Sequence, residues 1–75
     1  MSGRLPSIKA KDLIRYLCNQ KGFVIERIRG SHHQMRHPIT GQRVTIPLHR
    51  EELRRGTLHE IMLAAGITID ELREV

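Results

Sequence analysis

The sequence has no tryptophan, one cysteine and only two aromatic side chains, Tyr16 and Phe23, among 75 residues. Each scarcity removes a class of protein. A solitary Cys18 cannot build an internal disulfide framework, which sets the chain apart from stapled secreted domains and fits a reducing cytosol. Its position on a helical stripe reads as a small buried hydrophobe. With so few rings, the core must rest on Leu, Ile, Val and Met. Strand aromatics that could stack bases, as in RRM or OB-fold proteins, are missing too. No apolar run approaches the roughly 18 residues that a membrane span needs. The opening Met1-Ser2-Gly3-Arg4-Leu5-Pro6 lacks the apolar stretch of a secretory signal, so the expectation is a cytoplasmic chain. There is no GxxxxGK loop and no GxGxxG, so no nucleotide cofactor is expected.

What is present suits one small folded domain spanning residues 1–75. Hydrophobic residues make up 39% of the chain, and no low-complexity tract or linker interrupts them. A chain of this size buries only about 60% of the surface that its unfolded form exposes, so the core is modest. The formal net charge is +5, and its distribution says more than its size. Residues 1–20 carry +3, residues 21–50 carry +5 and residues 51–75 carry −3. The middle segment holds Lys21, Arg27, Arg29, Arg36, Arg43 and Arg50 against Glu26 alone. Arginine is the cation suited to bidentate phosphate contact, so this concentration points to a polyanion, nucleic acid before all. No long basic amphipathic helix suggests a membrane surface.

Periodicity yields the element order. Leu13, Ile14, Leu17 and Cys18 form one helical stripe within Ile8–Lys21, and Gly22 supplies the stop. Phe23 to Arg29 is rich in β-branched residues and reads as a strand. Gly30-Ser31 punctuates it, and His32 to His37 forms a second strand. Pro38-Ile39-Thr40-Gly41 makes a hairpin loop, and Arg43 to Ile46 a third strand ended by Pro47. Thr57 with Glu60 three positions on predicts a capping box at the start of a second helix, striped by Leu58, Ile61, Met62 and Ala65 and closed by Gly66. Thr68 caps a last short helix anchored by Leu72. The fold class is thus α+β, ordered α-β-β-β-α, with a three-stranded antiparallel sheet and both helices on one face.

Alternation along the second strand sends His33, Met35 and His37 one way and His32, Gln34 and Arg36 the other. Met35 is the apolar member, so its set should face the helices and His32 the open side, provided the register holds at Gly30. A histidine among arginines has a chemical use, because an imidazole gives and takes protons near neutral pH. RNA brings its own nucleophile, the 2′-hydroxyl, and needs only a base, cations for the phosphorane and a proton for the leaving oxygen. Spacing alone is equally compatible with a polar residue beside a turn. A metal site from His32, His33 and His37 is disfavoured, since alternation splits them and no Cys or carboxylate joins. His49 and His59 stand isolated. Ser31 has no recognisable base and acid to make it a nucleophile.

Several segments in order resemble the HicA family: Gly22-Phe23, Arg29-Gly30-Ser31-His32-His33, Thr45-Ile46-Pro47, Gly56-Thr57-Leu58 with Ile61, and Ala65-Gly66-Ile67. These are the mRNA interferase toxins of HicA–HicB toxin–antitoxin systems, and the resemblance spans roughly residues 7–72. It implies a double-stranded-RNA-binding-domain-like fold and cofactor-independent endoribonuclease activity on mRNA. It further implies His32 as the catalytic residue, no metal, and a HicB-type antitoxin as cognate partner. The RNA-binding candidates on the strands are Arg27, Arg29, Gln34, Arg36 and Arg43. The alternative from a different class is a non-catalytic RNA-binding module on the same fold. A DNA-binding accessory role lacks a basic recognition helix.

Overall fold

Leu13, Ile14 and Leu17 recur at helical spacing, and in the computed structural model they lie buried along one side of α1, Ala10–Gln20. The structure describes residues 4–75, so Met1 to Gly3 of the amino-terminal stretch lie outside the described residues. The helix starts later than its apolar stripe suggests. Ile8 and Lys9 are instead extended, held by the Leu53 N–H donating to the Ile8 carbonyl at 2.8 Å and by a Lys9–Glu52 bridge. Gly22, at φ +78°, ends α1 as expected, in a left-handed conformation that costs other residues free energy. The N–H groups of Lys21 and Phe23 both close back onto the Leu17 carbonyl.

Phe23 packs into the core just ahead of the first strand, its ring meeting His37 edge-on at 5.2 Å. The strands are β1 (Val24–Arg29), β2 (His32–Arg36) and β3 (Arg43–Pro47), antiparallel and in the order β1-β2-β3. The β2–β3 loop is organised by His37, whose Nδ1 accepts from the Ile39 and Thr40 N–H groups at 3.2 Å each. Met35, Val44 and Ile46 are buried beneath the helices, together with Leu13, Leu17 and Leu58. The second helix, α2 (Arg55–Ala65), packs on β3, and α1 reaches both β1 and β3. The order is α-β-β-β-α with a short α3 (Ile69–Leu72), as the sequence predicts.

One expectation fails. Thr57 does not cap α2: the helix begins at Arg55, with Arg54 as the extended N-cap and no side-chain cap. The same Thr-x-x-Glu signature occurs again at Thr68, and there the box forms. Thr68 Oγ1 accepts the Glu71 N–H at 3.1 Å, and Glu71 Oε1 accepts the Thr68 N–H at 2.8 Å. The difference lies upstream. Gly66 sits at φ +71° and breaks the chain just before Thr68, whereas the residues before Thr57 are free to continue the helix. A capping box stabilises a helix start but cannot create one where nothing stops the preceding turn.

Glu71 does double duty. Its other oxygen meets the Lys21 ammonium, tying α3 to the end of α1. The Lys21 hydrogen bond, and after it the Thr68 backbone N–H, holds the Glu71 carboxyl below its ordinary 4.5, and the same contact raises Lys21. A depressed carboxyl pKa contributes stability that is present above the ordinary value and is lost as pH falls through the folded one. The pair is about a quarter exposed, so solvent screening limits its worth. Glu71→Gln should therefore cost about 1 kcal/mol at neutral pH. The deficit against the parent should shrink as pH falls below 4.5, which thermal melts across that range would measure. A deficit unchanged in acid would show that the charge contributes nothing.

Candidate nucleic-acid interface

The site is built from the shortest connection in the sheet. Gly30-Ser31 is a two-residue hairpin turn, and Arg29 and His32 are the pair that closes it. Gly30 takes φ +56° while Ser31, like the other described non-glycine residues, stays at negative φ. That combination is the one in which the first central residue of a II′ turn must be glycine. The Ser31 carbonyl accepts the Leu48 N–H at 2.7 Å, pinning the turn to the segment that leaves β3. The Nδ1 of His33 lies 3.3 Å from the same carbonyl.

Register then sorts the side chains, because directly opposed residues in an antiparallel pair point to the same face. His33 lies opposite Ile46 and Met35 opposite Val44, so these belong to the helix side. The open face carries three rows: Arg29, His32 and Pro47; Arg27, Gln34 and Thr45; Val24, Arg36 and Arg43. Cross-strand neighbours of this kind have Cβ atoms about 4.5–5.5 Å apart. The register therefore puts His32, Arg27, Arg29, Gln34, Arg36 and Arg43 on one surface, with His32 exposed and Arg29 its direct neighbour. His37 is engaged in its own loop, and His49 and His59 are exposed elsewhere. Among the described residues, no three His, Cys, Asp or Glu side chains come close enough to share a metal.

Two features of this face were not read from the sequence. The first is a β-bulge between Ile25 and Arg27, which departs from strict alternation. It leaves Ile25 opposite Met35 and Ile28 opposite His33, both on the helix side, with Glu26 and Arg27 together on the open side. The second is the role of Glu26. Its carboxylate accepts from Arg36 Nε at 3.1 Å and lies 3.6 Å from Arg43 Nη2. Two of the five candidate RNA contacts are thus held by an acid, while Arg27 and Arg29 take part in no ion pair among the described residues. The lone acid amid six cations in residues 21–50 was the available signal.

These ion pairs are between a third and two thirds exposed, so Glu26 contributes little to stability and much to the charge of the face. Glu26→Gln should leave the melting temperature within a degree or two and strengthen polyanion binding about fivefold at fixed salt. Elution from heparin, or RNA affinity by fluorescence anisotropy, would read this. Weaker binding in the variant would show that Glu26 positions Arg36 and Arg43 for the ligand rather than competing with it.

Compared with known protein families, residues 10–67 match the family described as HicA toxin of bacterial toxin-antitoxin. A search of curated proteins gave no match.

Proposed function

This chain belongs to the HicA toxin family of bacterial toxin–antitoxin systems, and we propose that it acts there as an endoribonuclease that cleaves mRNA without a metal ion. The observation that carries the reading is the Arg29–His32 pair, locked by a two-residue turn onto an open face of arginines. Phosphates bound along Arg27, Arg36 and Arg43 would lay a single strand across the sheet, with Gln34 and Thr45 between them. A backbone phosphate placed between Arg29 and His32 then meets a cation and a proton carrier at once.

The chemistry follows from RNA itself. His32 takes the proton from a 2′-hydroxyl, the 2′-oxygen bonds to the adjacent phosphorus, and the P–O5′ bond breaks. The same imidazolium returns its proton to the departing 5′-oxygen. The products are a 2′,3′-cyclic phosphate and a free 5′-hydroxyl, so proton and charge balance without an external reagent. Arg29 stabilises the extra negative charge of the phosphorane. The fold gives this face no cover, so a cytoplasmic ribonuclease of this kind needs an inhibitor. A HicB-type antitoxin with an acidic surface would complement the arginines and occlude His32.

His32→Ala should reduce cleavage at least about a hundredfold, the low end for a general acid–base group. Its melting temperature should barely change, since the side chain is exposed and makes no core contact. RNA affinity should persist, because the arginines supply it. His33→Ala should instead lower stability by about 1 kcal/mol, since that half-buried ring lies on the helix side near the Ser31 carbonyl. Cleavage by the parent should continue in excess EDTA and leave cyclic phosphate ends. If His32→Ala changed affinity and no cleavage by the parent could be detected, the chain would be a non-catalytic RNA-binding module. Loss of cleavage in a folded His33→Ala with retention in His32→Ala would move the chemistry to the helix side and overturn its assignment to His32.

A further inference from the structure

β1 and β3 are the two edge strands of the sheet, and only in β1 is every residue exposed. Its apolar members are among the most exposed large hydrophobics of the chain: Val24 at 42%, Ile25 at 44% and Ile28 at 54%. Ile25 and Ile28 lie on the helix side, yet the helices do not reach out to cover them. Exposed edges are usually blunted by proline, lysine, a bulge or a covering loop, and of these β1 has the bulge alone. The sequence VIERIR contains neither proline nor lysine. It is instead complementary to itself.

Consider two copies of β1 paired antiparallel about a two-fold axis perpendicular to the sheet. Opposed residues must point to the same face. In a regular strand only residues an even number apart share a face, so the axis must pass through a residue. Centred on this strand, that residue is Glu26 or Arg27, and a carboxylate would meet its own copy, or a guanidinium its own. Like charges directly opposed are destabilising. The bulge removes this restriction. With Glu26 and Arg27 on one face and Ile25 and Ile28 on the other, the axis can pass between Glu26 and Arg27. Ile25 then opposes Ile28 of the second copy, Glu26 opposes Arg27, and Val24 lies against the aliphatic stem of Arg29. Symmetry doubles each contact.

We propose that the free edge of β1 is a self-association surface, at which a second copy of this chain docks to join two three-stranded sheets into one. The two isoleucine pairs lose their exposure on the helix side. The two Glu26–Arg27 pairs form on the open side, where Glu26 already gathers Arg36 and Arg43. The arginine rows of both copies continue into a single basic surface. A six-residue strand buries less than a standard-size interface, so the dimer is of the weak, concentration-dependent kind. The inference rests on register and charge, and is independent of whether the chain cleaves RNA.

Sedimentation velocity on the nucleic-acid-free full chain tests it, over about a hundredfold range of concentration at physiological salt. The expected result is a monomer that converts to a dimer as concentration rises. Glu26→Arg and Arg27→Glu, each alone, place like charges in both symmetry-related pairs and should raise the dissociation constant about tenfold or more. The double variant Glu26→Arg/Arg27→Glu swaps the charges and should restore association. Ile28→Lys should give a monomer throughout, with circular dichroism confirming that each variant is folded. A parent that stays monomeric at every concentration overturns the proposal and leaves the edge to a different chain. A dimer indifferent to the single reversals, or not rescued by the double variant, overturns it too, because the contact then lies elsewhere or in another register.

Discussion

Met35 is the one strongly apolar side chain of β2, and its burial beneath the helices orients the rest of the sheet. Placing a methionine side chain out of water is worth about 1.5–3 kcal/mol, and Met35 is 1% exposed between β1 and β3. The gain of the correct register exceeds that figure. A slip by one residue would turn Met35 outward and send His32, Gln34 and Arg36 into the core, where unpaired charge is prohibitively costly. The facing residues Val44 and Ile46 impose the same polarity on β3. The basic face is therefore not held by contacts within itself. It is what remains when the apolar face has been satisfied.

Stability and the candidate site are consequently separated in space. Stability resides in Leu13, Leu17, Met35, Ile46, Leu58 and Leu72, all nearly inaccessible, and in the box and ion pair of Glu71. His32, Arg27 and Arg29 add almost nothing to that core. The Gly30-Ser31 turn is where the two meet, since its conformation sets the distance between Arg29 and His32 while its carbonyl is tied to Leu48. A hairpin this short leaves little freedom, and paired functional groups gain from being held in place before a ligand arrives.

The element order, the division of β2 into two faces and the exposure of His32 were legible in the sequence because each rests on a strong local pattern. Apolar spacing marked α1, β-branched residues marked β1, and a single methionine among polar residues decided the face of β2. Three features were not legible, each for a reason that lies outside the local window. Arg55 rather than Thr57 opens α2, because helix starts depend on what stops the chain upstream, and nothing did. Ile8 is extended, because Leu53, far along the chain, takes its carbonyl. The bulge at Glu26 arises from pairing with β2, and alternation by itself would have put Ile25 and Ile28 on opposite faces.

That bulge has consequences for charge as well as geometry. A sheet face bearing Arg27, Arg29, Arg36 and Arg43 repels itself, and seven of the chain's eight acids, Asp12 on α1 and six in residues 51–75, lie outside the strands. Glu26 is the exception, and in a regular strand it would point with Ile28 toward the helices. The bulge turns it to the open side, where one carboxylate relieves two guanidiniums at once. Arg27 and Arg29, nearer His32 by register, are left unrelieved. The face is thus graded: tempered at the end where Val24 meets Arg36 and Arg43, and fully positive beside His32. A polyanion lowers its energy most by bringing phosphate to the unrelieved end, beside His32. One extra residue in an edge strand therefore both limits the folding cost of a basic surface and directs its attraction toward the histidine.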